Sequence, residues 1–368
     1  MNRRGVLHNM AAVMAAVTGA VRAQQASATE FPALVRQKRS LTVHSTTDTL
    51  VFAPVVRDFQ RLQPDTTVHY EELDAGQLYT RFLSDTSSGK KGADLLLSSA
   101  MDLQVKLVND GFAAPHDSMH TSALPVWARW REEAFGFTFE PAVMIFNRAA
   151  MRGRTLPRSR SELLAMLDND RKFWRGRVGT YDIARSSVGY LLASQDARLS
   201  SEFSALLESF GTINLQTEQR TAALLDRISS GNLTMGYNLL GSYARTRIDA
   251  GAPLEIAYLD DYTLAVTRTA VIPARAAQPE CAHQFLEYLL SPQGQSTLAA
   301  RSHLPAVRRD LAESADPLGV GDVRKGLLRP IGLGPGLLVY LDRQKRSRLL
   351  AAWRNALQSA NVIEVVRS

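Results

Sequence analysis

Two stretches constrain the fold more than any other part of this chain. Phe135 to Asn147 reads Phe-Gly-Phe-Thr-Phe-Glu-Pro-Ala-Val-Met-Ile-Phe-Asn, and Tyr258 to Ile272 reads Tyr-Leu-Asp-Asp-Tyr-Thr-Leu-Ala-Val-Thr-Arg-Thr-Ala-Val-Ile. Each is too long and too rich in β-branched and aromatic residues to be one simple strand. Each is expected to carry the chain from one lobe to another, the first near Pro141 and the second just before Pro273. Two crossings make one lobe discontinuous in sequence. The expected partition is residues 40–140 and 262–368 for the first lobe and 141–261 for the second. A pair of extended hinges suits domain closure around a ligand.

Between the crossings, strands alternate with helices. Leu41 to Ser45, Thr67 to Leu73 and the apolar run Ala93 to Leu97 read as strands, the last as the middle of a covered parallel sheet. Leu50 to Leu62 places Val51, Val55, Phe59 and Leu62 on one helical face, with Pro64 just beyond. Ala75 to Asp85, Met101 to Asn109, Arg158 to Leu167, Ser187 to Gln195, Thr221 to Ser229 and Pro279 to Leu290 complete the helices expected before an amphipathic C-terminal one, Tyr340 to Ala360. Such alternation predicts two doubly wound α/β lobes. No internal repeat is visible.

Four strand-to-helix turns share one chemistry. Thr234 to Tyr237 reads as a strand turning into a helix near Gly241, with Asn238, Gly241, Ser242 and Tyr243 at the turn. The others hold Thr46, Thr47 and Asp48; Ser98, Ser99 and Met101; and Arg185, Ser186 and Ser187. A helix start offers unpaired N–H groups and the positive end of its dipole, which suits an anion. Arg185 adds a planar donor for carboxylate or phosphate. In open α/β sheets the carboxyl ends of strands form the ligand crevice. Each turn also has a plainer reading. Ser99 with Asp102 three residues on can be a capping box, Arg185 a solvated surface group, Tyr237 a core residue, and Asp260 and Asp261 a hinge hydrogen-bond pair.

Composition narrows the function. The formal charge of the 368 residues is +7, and hydrophobic residues make up 45%, enough for two real cores. Residues 1–23 read as a secretory leader: Arg3 and Arg4, an apolar run Met10 to Val21, then Val21-Arg22-Ala23. Removing its three arginines leaves a charge of +4, too mild to imply nucleic acid. Gln24 to Arg39 is expected to be loose. The single Cys281 excludes a disulfide framework and a cysteine zinc site, and export without disulfides points to a periplasm. There is no Gly-x-Ser-x-Gly elbow, His-Glu-x-x-His, Walker loop or dinucleotide glycine triplet. His116 and His120 are spaced for one helical face, but Pro115 and Ser118 suggest a loop there, so no metal and no cofactor is expected.

Several stretches resemble bacterial extracellular solute-binding proteins of the ferric-iron-transport type, within the type II periplasmic binding fold. They are Ala93-Asp-Leu-Leu-Leu-Ser-Ser-Ala-Met-Asp-Leu-Gln104, Tyr181-Asp182 with Arg185 to Tyr190, Tyr237 to Ala244, Asp261-Tyr-Thr-Leu264, and Phe285-Leu-Glu-Tyr-Leu-Leu-Ser291 with Gly294-Gln295. The likeness is greatest to a subgroup related to the phosphoglycerate-transport regulatory protein, whose members accompany sensor kinases. The resemblance implies a monomeric periplasmic protein that serves an inner-membrane ABC permease or the periplasmic domain of a sensor histidine kinase. Ferric-binding relatives use two adjacent tyrosines with a His and a Glu. Here the matching turn reads Gly241-Ser242-Tyr243, and the first loop, Ser45-Thr46-Thr47, holds no His. Hydroxyls are poor ligands for hard Fe(III). The expected solute is therefore a phosphorylated or carboxylated small molecule, or phosphate. Ferric iron and a phosphate-ester hydrolase are the alternatives, and the protein is expected not to be an enzyme. The expected ligand set is Thr46, Thr47, Ser98, Ser99 and Met101 from the first lobe, with Arg185, Ser186, Ser187, Asn238, Gly241, Ser242 and Tyr243 from the second.

Overall fold

The computed structural model describes residues 27–308, 310–311 and 327–365. The leader expected over 1–23 lies outside the described residues. Strands β1 (Ser27–Phe31), β2 (Arg39–Ser45), β3 (Thr66–Glu72), β4 (Leu95–Ser98), β5 (Arg129–Trp130) and β6 (Ala134–Gly136) belong to one sheet. A second sheet takes β7 (Glu140–Asn147), β8 (Val178–Tyr181), β9 (Gln216–Glu218), β10 (Met235–Leu240), β11 (Leu254–Ala257) and β12 (Thr263–Val266). Then β13 (Thr269–Val271) returns to the first sheet and β14 (Leu328–Pro330) joins the second. The orders are β1-β3-β2-β4-β13-β6-β5 and β14-β12-β7-β10-β8-β9, with β11 also paired to β7. β2 runs parallel to both β3 and β4, and β8 runs parallel to both β9 and β10.

Each of the two long runs divides into two strands, one in each sheet. The joints are Phe137 to Phe139 and Thr267 to Arg268, and they lie side by side. Val266 pairs with Glu140 on one side of the joints, and Thr269 with Gly136 on the other. Across them, Phe137 N–H donates to the Arg268 carbonyl (2.9 Å) and Arg268 N–H to Thr138 Oγ1 (2.8 Å). Gly136 lets the crossings approach this closely. A Cβ there would stand 2.5 Å from Thr267 Oγ1.

The first core stacks Phe52, Phe59 and Phe285 under β2 and β4, with Phe59 and Phe285 rings 4.7 Å apart. The second core gathers Phe146, Trp174, Tyr190 and Phe210. Burying one such ring contributes roughly 1.5–3 kcal/mol, so each cluster outweighs local propensity. Two segments differ from expectation. The supposedly loose residues 24–39 contain β1, which pairs antiparallel with β3 through Phe31 and Val68. Its apolar Phe31 is buried, and the β3 edge supplies backbone partners that polarity alone does not reveal. The C-terminal helix, Arg343–Val365, packs on the helix Phe203–Thr212 in the second lobe, although residues 262–368 were assigned to the first. Trp353 enters the second core, and Gly211 admits the helix because a Cβ would lie 2.1 Å from the Ala356 carbonyl oxygen. The helix Pro279–Leu290, by contrast, packs on the first sheet and buries Cys281.

Asp102 opens the helix Met101–Asn109 inside the first lobe, 2% exposed and with one carboxylate oxygen lacking a partner among the described residues. The expected capping box does not form. Ala100 is the N-cap, and the Ser99 N–H is taken by Thr46 Oγ1 at 3.0 Å. Burial pushes the Asp102 carboxyl up to about 6. Its folded pKa therefore exceeds the unfolded value of about 3.9, and folding binds a proton between the two. Stability from this group is full below pH ~4 and is lost as pH rises through about 6. Asp102→Asn is expected to flatten the fall in Tm between pH 4 and 7, measured by circular dichroism. An unchanged profile would show that Asp102 does not titrate there.

Candidate ligand cleft

The cleft floor is built from the two crossings. Glu140 begins β7 and Arg268 sits between β12 and β13, and both side chains are buried. Arg268 Nε donates to Glu140 Oε1 (2.8 Å) and its Nη2 to Oε2 (3.2 Å). Its Nη1 donates to Thr47 Oγ1 (2.8 Å) in the first lobe, and Nη2 reaches the Tyr243 hydroxyl (3.4 Å) in the second. Glu140 also accepts from Ser242 Oγ (2.6 Å) and Thr138 Oγ1 (2.9 Å). One arginine thus touches both crossings and both lobes. The Glu140 carboxylate and the Tyr243 hydroxyl hold its guanidinium firmly charged, against the effect of burial. Burial pushes the Tyr243 phenol up to about 12, so it is a neutral hydroxyl at neutral pH.

Above this floor is a cavity of about 110 Å³. The starts of the helices Thr49–Leu62, Ala75–Ser87, Ser187–Leu199, Thr221–Ser229 and Gly241–Asp249 line it through Asp48, Ala75, Ser187, Thr221 and Tyr243. Their dipoles add positive potential from both lobes. Arg185 and Arg220 stand on the second-lobe wall, and Asp48, Glu72 and Asp74 on the first. Arg220 reaches across to Glu72 at 3.8 Å. Arg185 is exposed, and its guanidinium forms no hydrogen bond or ion pair with any described residue.

Of the expected ligand residues, Thr46, Ser99, Arg185, Ser186, Ser187 and Tyr243 line the cavity. Thr46 Oγ1 lies 3.4 Å from Ser99 Oγ, bridging two strand ends of the first sheet. Ser186 caps its helix by accepting from Gly189 N–H (3.2 Å). The other six are not on the wall. Thr47 and Ser242 are spent on the Arg268–Glu140 network just beneath it. Ser98 accepts from Ala100 N–H, and the Met101 sulfur from Thr267 N–H (3.5 Å). Gly241 opens its helix beside Leu240, which does reach the cavity.

Asn238 is not a turn residue. β10 continues to Leu240 through an irregularity between Gly236 and Leu239, where Asn238 takes φ 55°. Asparagine tolerates that region, and a bulge lets the strand resume. The bulge sends Tyr237 and Asn238 to the buried Asp196, whose carboxylate also receives Tyr262 and Arg160. Arg160 continues to Asp261 (3.1 Å), while Asp260 pairs with Arg158 (2.5 Å). Both aspartates thus pair with arginines at the start of the helix Arg160–Asn169, and neither lines the cavity.

The residues that sequence reasoning missed are Arg268, Glu140, Arg220 and the cleft-facing Tyr181. A signal existed for the first two. Each is a lone charge in an apolar or threonine-rich extended run, and a buried charge must be paired. Nothing local marks Arg220 or Tyr181.

The family model described as "Bacterial extracellular solute-binding protein" matches residues 44–296. The chain belongs to this family. Among solved structures, the substrate-binding protein of an ABC transporter from Agrobacterium tumefaciens is similar over 90% of this chain and 98% of its own, with 37% identity and a TM-score of 0.84. Iron-bound HitA from Pseudomonas aeruginosa matches 87% of this chain and 99% of its own at 17% identity, with a TM-score of 0.68. AfuA from Actinobacillus pleuropneumoniae, with exogenous fructose-6-phosphate bound, matches 88% and 99% at 15% identity, also with 0.68. No curated protein sequence matches. The protein is an extracellular solute-binding protein with the type II periplasmic binding fold, of a family of binding proteins and not of enzymes. In this solute-binding protein Arg268 and Tyr243 are the members of the floor network that line the cavity.

Proposed function

We propose that the protein closes its two lobes on a small anionic solute, a phosphorylated or carboxylated compound or phosphate. The observation that carries this reading is Arg185. It is an arginine whose guanidinium has no partner among the described residues, set beside the helix start of Ser186 and Ser187 and facing a hydroxyl wall of Thr46 and Ser99. A solute held by both walls favours the closed form, because only that form offers both sets of contacts. The closed protein then serves an ABC permease, or shows its closed surface to a sensor kinase. A two-component signalling protein shares the fold at 16% identity and a TM-score of 0.62, which supports keeping the second partner class.

The test is a thermal-shift and calorimetric screen of residues 24–368 against phosphate, phosphoglycerates, organic acids, sugars and Fe(III). An anion is expected to raise Tm. Arg185→Ala is expected to weaken it by about 10- to 100-fold, the worth of one charge-assisted hydrogen-bond set. Tm of the free protein should not move, since Arg185 supports no described contact. Equal affinity in wild type and variant would overturn the assignment. A shift with Fe(III) alone, with a visible tyrosinate band, would replace the anion by iron.

A further inference from the structure

The charges around the cleft divide into those already used by the protein and those left over. On the floor, the guanidinium of Arg268 is neutralised by Glu140. On the first-lobe wall, Glu72 accepts from Thr49 N–H (2.9 Å) and Thr49 Oγ1 (3.2 Å) and faces Arg220. Asp74 closes a capping box with Gln77 at the start of the helix Ala75–Ser87. Two charges remain without a hydrogen bond or ion pair to any described residue: Arg185 on the second lobe and Asp48 on the first.

The position of Asp48 is unusual for an aspartate. It is the N-cap of the helix Thr49–Leu62, where an Asp side chain ordinarily accepts from an N–H of the first turn. Here it makes no side-chain cap bond. Glu72, reaching over from β3, takes the Thr49 N–H, one position before those an N-cap side chain serves. The Asp48 carboxylate, without a cap bond, lies on the cavity wall, half-buried and near the Tyr243 phenol. A simple anion bound at Arg185 would share this small cavity with a carboxylate that no described side chain pairs. The cavity, about 110 Å³, is well below the ~300–1,000 Å³ typical of drug-sized ligand sites, so the two charges cannot be ignored by the same solute.

We infer that the solute is a small ampholyte, with a phosphate, phosphonate or carboxylate at one end held by Arg185 and a primary ammonium at the other held by Asp48. This rests on the anion reading above and narrows it. The hydroxyls of Thr46 and Ser99 lie on the wall between, where they can donate to or accept from the middle of such a molecule. The arrangement rejects inorganic phosphate by repulsion at Asp48, and it rejects simple amines at Arg185.

The experiment is calorimetric titration of residues 24–368 at pH 7.5 and low salt with matched probes. Phosphoethanolamine, ethyl phosphate and ethanolamine form one set, and β-alanine and propionate the other. In at least one set the ampholyte is expected to bind tenfold or more tightly than the anion without the ammonium. Asp48→Asn, which removes no cap bond or ion pair with a described residue and so should melt as wild type, is expected to abolish that preference. It should weaken the ampholyte and strengthen ethyl phosphate. Arg185→Ala is expected to weaken ampholyte and anion alike. If anions bind through Arg185 but show no preference for the ammonium, or if the preference survives in Asp48→Asn, the ampholyte inference falls and the anion reading stands. If no probe of either set binds, both fall.

Discussion

Glu140→Ala is expected to destabilise the protein by about 3–5 kcal/mol, because it leaves the Arg268 guanidinium buried and unneutralised. Arg268 would keep only Thr47 and Tyr243, both neutral, and Ser242 and Thr138 would lose their acceptor. At roughly 2–4 °C per kcal/mol for a domain of 150–250 residues, Tm should fall by at least about 6 °C. Glu140→Gln retains a carbonyl acceptor and should lose less. Replacing both members, as Glu140→Ala with Arg268→Met, should recover much of the loss, since it removes the lone charge rather than the pair. Melting followed by circular dichroism measures all three. If the single alanine variant melts within a degree of wild type, the pair does not carry the hinge. Its effect on binding follows from the same geometry. The network ties the first-lobe Thr47 to the second-lobe Tyr243 and Ser242 through both crossings, so its loss should also loosen the approach of the two walls.

Asp196→Ala is expected to cost a similar 3–5 kcal/mol for the same physical reason in another place. Asp196 is the shared acceptor of Arg160, Tyr237, Asn238 and Tyr262, drawn from three different segments of the second lobe. Burial and the adjacent carboxylate raise the Tyr237 phenol well above its ordinary value, so it stays a hydrogen-bond donor throughout the neutral range. Arg160 keeps Asp261, which is part-exposed, and this sets the variant apart from Glu140→Ala. Asp196→Asn should fall between wild type and alanine. The check is a melt together with near-ultraviolet circular dichroism of the tyrosine bands. An unchanged tyrosine spectrum with an unchanged Tm would show that the cluster is not held by Asp196. Solute affinity gives a further contrast, since Asp196 lies outside the cleft wall and Arg185 supports it.

Much of the architecture was legible because it follows from short-range rules. Helices such as Met101–Asn109, Thr221–Ser229 and Pro279–Leu290 match the reading residue for residue, since apolar periodicity and a clear stop coincide there. The strand β1 was missed because its pairing with β3 is non-local and its own polarity is high. The C-terminal helix was seen as a helix, but its partner was not, because an apolar stripe states that a face is buried and not against what.

At the cleft the division is sharper. The residue types at the turns, hydroxyls and one arginine ahead of helix starts, are properties of the chain alone. They place Thr46, Ser99, Arg185, Ser186, Ser187 and Tyr243 on the wall. Whether a given side chain faces the cavity or serves the frame depends on competition among hydrogen-bond partners far apart in sequence. Thr47 and Ser242 were drawn down by Arg268 and Glu140, and Asn238 was turned away by a bulge and Asp196. Asp48 makes no cap bond and lies on the cavity wall. The sequence by itself determined the α/β alternation, the two crossings and the chemistry at the strand ends, because these rest on local periodicity and backbone geometry. Only the tertiary structure decided which charges are neutralised within the protein and which remain for a solute, because that requires bringing together groups more than a hundred residues apart, such as Glu140 and Arg268.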